Sequence, residues 1–102
     1  MPARATIKDI DTYYKQAIQS YIGLLEEAIE DLENTGGDAF REALTVGINR
    51  LHVKSSEIAT GILVSKGAVS KWLSGHATPN LPTRRVTYMW LLDRARLEVE
   101  KL

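Results

Sequence analysis

Two helix-forming runs sit almost back to back in the stretch from Ser56 to Pro79, SEIATGILVSKGAVSKWLSGHATP. Each opens on a serine, which can accept hydrogen bonds from the free N–H groups of a helix start. The second run is short, carries Lys66 and Lys71, and stops at Gly75, a residue that takes the left-handed backbone of a helix end at no steric cost. Helices joined by so few residues must cross steeply, as in a helix-turn-helix unit. Close crossing needs a small side chain, and Ala59 supplies one. Ile58, Ile62, Val64, Val69 and Trp72 fill the space between the two helices and the rest of the core. With those inward, Lys66, Gly67, Ser70 and Lys71 face outward on one side of the second helix. An exposed helix of this kind has the width of the DNA major groove.

The rest of the chain reads as helix too. Ile7, Ile10, Tyr14, Ala17, Ile18, Tyr21, Leu24, Leu25, Ala28, Ile29 and Leu32 recur at three- and four-residue spacing. That pattern predicts one long amphipathic helix over residues 6–34. NTGGD ends it, and Asp38 is expected to cap a second helix over Ala39–His52. Pro79 and Pro82 mark a loop, and Thr83 is expected to open a last helix running through Val86, Tyr88, Met89, Leu91, Leu92, Ala95 and Val99. No strand alternation, repeat or low-complexity tract is legible. The expected class is all-α, about five helices: residues 1–35 as an N-terminal amphipathic helix, residues 36–102 as a helix-turn-helix domain with a C-terminal helix. No apolar run reaches the ~18 residues of a membrane span, no signal-peptide core is visible, and there is no cysteine. A soluble cytoplasmic protein is expected, with no membrane partner.

Net charge is zero over 102 residues, yet the charges are segregated. Residues 1–49 carry four basic and nine acidic side chains, and residues 50–85 carry six basic side chains against Glu57 alone. Such asymmetry marks a local polyanion footprint on a neutral chain. The plainer reading is scatter among solvated faces.

At these residues the chain resembles the Cro/repressor-type helix-turn-helix proteins, the XRE family. SEIA stands where the family has a polar pair followed by Leu-Ala. VSKGAVSKWLSG is similar, without gaps, to the family's Val-Ser-x-x-x-Ile-Ser-x-Trp-x-x-Gly, and Pro79 falls where the family commonly has proline. Residues 54–79, with helix 39–52 before them, carry the likeness. Two departures stand out. The left-handed slot of the family's turn, usually glycine, falls on Leu63, which points to a reshaped turn. Ser55 stands where the family often has glutamine and is too short to bond a phosphate while buttressing the second helix. The long first helix lies outside the family's minimal domain.

The resemblance implies base contacts from Lys66, Gly67 and Lys71. Lysine donates to guanine O6 and N7, and glycine permits close backbone approach. Ser70 shares their face, and Ala68 suits a thymine methyl. Phosphate contacts are expected from Lys54, Ser55, Ser56, Ser65, His76 and Thr78, and from Arg84 and Arg85 at the start of the last helix. Trp72 reads as core rather than a stacking platform. His52 and His76 lack partner ligands, so no metal or other cofactor is expected. No catalytic grouping is legible, so the chain is not expected to be an enzyme.

Three functions fit. The first is a sequence-specific transcriptional regulator, a dimeric repressor on double-stranded DNA. The second is a protein-interaction module, or an antitoxin whose long first helix docks a partner protein. The third is a phage packaging subunit whose DNA contact serves an enzyme elsewhere. For the first, Ile7, Ile10, Tyr14, Ala17, Tyr21, Leu24 and Ala28 fall on the seven-residue pattern of a two-helix seam and are the expected homodimer interface, with the last helix as a second contributor.

Overall fold

The computed structural model describes residues 7–102, with side chains from Ile10 onward. Among these residues the chain is all-α. Five α-helices follow one another as α1 (Ile7–Glu30), α2 (Gly37–Leu51), α3 (Ser55–Ile62), α4 (Lys66–Ser74) and α5 (Leu81–Lys101), with a 3-10 turn at Leu32–Asn34.

Capping chemistry moves three helix starts from their expected places. Helix α2 begins at Gly37, with Gly36 as its cap and Asp38 inside the first turn. There the Asp38 carboxylate meets the positive end of the helix dipole. Helix α3 is capped at Lys54 rather than at a serine, because the Glu57 carboxylate reaches back to accept from the Lys54 N–H at 3.2 Å. Helix α5 starts at Leu81, before Thr83, because Asn80 Oδ1 accepts from the Thr83 N–H at 3.0 Å. Pro82 is tolerated there, since first-turn N–H groups have no partner within the helix.

Helix α5 runs antiparallel to α1. Its start, at Leu81 and Arg85, lies beside Ile29–Asn34, and further along Arg96 pairs with Glu26 at 3.7 Å. Ile18, Tyr21, Leu25 and Ala28 of α1 belong to the same buried cluster as Phe40, Ile58, Val69, Trp72, Tyr88 and Leu91. The core is therefore continuous across the turn at residue 35. At its centre Phe40 meets Trp72 and Tyr88 edge-on, with ring centroids 5.9 and 5.4 Å away.

That packing changes the meaning of the α1 stripe. Tyr21 and Ala28 are buried against the chain's own helices and reach solvent only as part of the lining of the groove between α1 and α2. Tyr14 is half-buried, and its hydroxyl donates to the Arg50 carbonyl at 2.8 Å. Ile10 and Leu24 remain exposed and Ala17 half-exposed. The side chain of Ile7 lies outside the described residues.

The Tyr21 hydroxyl donates to the Ala43 carbonyl at 2.7 Å, and burial pushes its proton affinity far above that of a free phenol. Gly47 makes this geometry possible. A Cβ there would collide with the Tyr21 hydroxyl and stand 3.1 Å from Leu91 Cδ2. Gly47→Ala gains up to ~1 kcal/mol of helix propensity but overpacks a buried site at a cost of ~1–3 kcal/mol. A net loss is expected in urea denaturation; a stabilised variant would show that Tyr21 can move aside. No helix among the described residues is long and apolar enough to cross a membrane.

Candidate nucleic-acid interface

Helix α4 is held at both ends and along one side. Ser65 Oγ accepts from the Ala68 N–H at 3.1 Å, and Gly75 ends the helix at φ 80°. Val69 and Trp72 are buried, which fixes the rotation of the helix about its axis. Lys66, Gly67, Ser70, Lys71 and Ser74 are then contiguous on the solvent arc, and all five are exposed. Four of the five expected base-contacting residues share this arc. Ala68 does not: it is half-buried and packs against the core.

The arc is free of acid. Glu57, the lone carboxylate of residues 50–85, is tied down away from it. Its Oε2 accepts from Arg94 Nη2 at 2.5 Å and its Oε1 from the Lys54 N–H. Lys66 and Lys71 have no ion-pair partner among the described residues, so their ammonium groups are available to an external anion.

Gly67 is unexplained by packing. A Cβ at this position would meet nothing closer than Ser65 Oγ at 3.9 Å. Gly67→Ala should therefore stabilise the fold by about 0.5–1 kcal/mol, seen as a raised melting temperature. If something must approach the α4 backbone closely, the same variant loses that binding.

The expected phosphate contacts divide into two groups. Lys54, Ser65, His76 and Thr78 are exposed, and Ser55 and Ser56 are half-buried at the start of α3. Ser74 Oγ donates to the Lys71 carbonyl at 3.1 Å and lies 2.6 Å from His76 Nδ1. Arg84 and Arg85 are not gathered with this group. Arg84 turns inward, and its Nη1 donates to the Thr35 carbonyl at 3.1 Å. Arg85 lies beside the 3-10 turn at the acidic end of α1. Arg84 thus ties α5 to the α1–α2 turn, which accounts for an arginine at a helix start without any phosphate.

Arg41 is a candidate that the sequence did not point to. It sits in the acidic half of the chain, but α2 carries it to the end of α4, where its guanidinium covers Gly75 so closely that a Cβ would collide with it. Its one ion pair among the described residues is a loose, exposed contact of 3.6 Å to Asp38. A one-dimensional charge count cannot see a cation delivered across the fold.

The turn between α3 and α4 keeps the left-handed geometry that the missing glycine had put in question. Leu63 adopts φ 61°, ψ 46°, and the Val64 N–H closes the helix end onto the Ala59 carbonyl at 2.9 Å. Hydrogen-bond closure therefore prevails over the side-chain penalty. The leucine is 91% exposed, so burial returns nothing. A left-handed non-glycine residue costs ~1–2 kcal/mol, offset by the greater freedom of glycine in the unfolded chain. Leu63→Gly is expected to stabilise by about 1 kcal/mol in chemical denaturation; a loss of stability would mean the leucine is held by contacts of its own.

Among the described residues no three His, Cys, Asp or Glu side chains are grouped to hold a metal ion. Comparison with protein-family models, with curated proteins and with solved structures finds no match to this chain.

Proposed function

We propose that this chain is a sequence-specific DNA-binding regulator of transcription, acting in the cytoplasm as a dimeric repressor of the helix-turn-helix kind. Helix α4 lies in the major groove. Lys66 and Lys71 donate to guanine edges, Ser70 bonds a base or phosphate, and Gly67 lets the backbone come close. Lys54, Ser65 and Arg41 hold phosphates on either side and set the register. The observation that carries this reading is the acid-free arc of α4, rigidly phased by Val69 and Trp72, with Glu57 engaged elsewhere.

One α4 reads only a few base pairs, so two copies are needed to read half-sites about one helical turn apart. Selection from a random duplex pool tests the proposal. The expected result is enrichment of an inverted repeat with half-sites ~10–10.5 base pairs apart, centre to centre. A pool that enriches no sequence after repeated rounds would overturn it.

A further inference from the structure

We infer that the solvent face of α1, where it borders the groove against α2, seats the same face of a second copy in antiparallel register, residue 20 facing residue 24. The dimer follows from the reading above only in that two half-sites need two copies. Association is measured without DNA, so failure of the seam and failure of the DNA face are separate results.

The exposed face is not the stripe that the core consumes. Tyr13, Ala17, Ser20, Leu24, Glu27 and Asp31 follow one another at spacings of four, three, four, three and four, the signature of a two-helix seam. Tyr13 is 72% and Leu24 50% exposed, so both side chains are open to a partner on this face. Beside them runs a groove of about 700 Å³ between α1 and α2, floored by Leu24, Ala28, Ala43 and Val46.

Charge is distributed along this groove from end to end. Arg50 stands at one end, its Nη1 donating to the Ala17 carbonyl at 3.2 Å. Glu27, Glu30 and Glu42 line the other, none of them ion-paired among the described residues. An antiparallel second copy brings its Glu27 opposite Ala17, and so alongside Arg50, and the symmetry repeats the contact at the far end. It also sets the bulky Leu24 against the small Ser20 and pairs Tyr13 with the acidic Asp31. Parallel pairing would instead stack acid on acid at 27 and 31, and leave small against small at 17 and 20. The rival apolar stripe, Val86, Met89 and Leu97 on α5, is interrupted by the exposed Asp93.

The chain has no cysteine, so introduced thiols report the register directly. Single variants Ser20→Cys and Leu24→Cys, mixed and mildly oxidised at tens of micromolar, should give a disulfide-linked dimer. Tyr13→Cys should cross-link with Asp31→Cys but not with itself, because the two copies of residue 13 stand ~27 Å apart along the helix at 1.5 Å per residue. Leu24→Glu should weaken self-association at least tenfold in sedimentation, with its helical circular dichroism unchanged. Self-linking of Tyr13→Cys would overturn the antiparallel register. A wild-type chain that sediments as a monomer at 100 μM would overturn the seam, and a dimer in which neither mixture cross-links would move it to another surface.

Discussion

Trp72→Ala is expected to cost about 3–5 kcal/mol, the usual loss when a buried tryptophan is truncated. Against a total stability of about 5–15 kcal/mol for a domain, that is enough to unfold much of the population at 37 °C. Trp72 is nearly buried, packs on Phe40, and belongs to the one cluster that all five helices share. It also sets, with Val69, the rotation of α4, so surviving folded protein should present Lys66 and Lys71 less rigidly. Urea denaturation with linear extrapolation measures the loss. A change under 1 kcal/mol would mean that the α4 phase is fixed by other contacts.

The second large effect concerns binding. Lys66→Ala and Lys71→Ala should each weaken binding to the selected duplex by about 1–3 kcal/mol, roughly 5- to 150-fold. Both side chains are exposed, with no ion-pair partner among the described residues, so melting temperatures should hold. The two losses need not add, because the lysines lie on one helix face and share a ligand. Fluorescence anisotropy against the selected and a scrambled duplex separates the roles. Loss confined to the selected duplex marks a base contact; equal loss on both marks a phosphate contact. No loss on either would remove α4 from the interface.

Features written in local chemistry were legible in the sequence. Ser65 and Gly75 bound α4 as the residue types demand, and the Val69–Trp72 spacing assigns the solvent arc correctly. Where two local signals compete, the structure chose differently. In KSSE the serines look like caps, but a glutamate three residues after Lys54 reaches back to the Lys54 N–H and moves the cap there. Pro82 looks like a helix stop, yet a proline in the first turn removes an N–H that has no partner anyway. The α1 stripe shows the deeper limit. Periodicity says that Tyr21 and Ala28 are buried, but it does not say by what. Helices α2 and α5 of the same chain supply the cover. The placement of Arg41 and Arg84 is likewise invisible in sequence, because each is decided by which loop the fold brings within reach.

The pairing of the first and last helices has a consequence for how the protein is made. During translation α1 leaves the ribosome with Ile18, Tyr21 and Leu25 uncovered; α2 covers part of that stripe, and α5, which packs along its length, is made only after the other four helices. About 50 residues separate the end of α1 from the start of α5, which at ~5–20 residues per second amounts to roughly 3–10 s of synthesis. Throughout that interval the side of the α1 stripe that faces α5 stays uncovered. A message truncated before Leu81 therefore yields no smaller working domain. It yields a chain whose core is open on the side that α5 would cover, and exposed apolar surface of that kind is what makes incomplete chains aggregate.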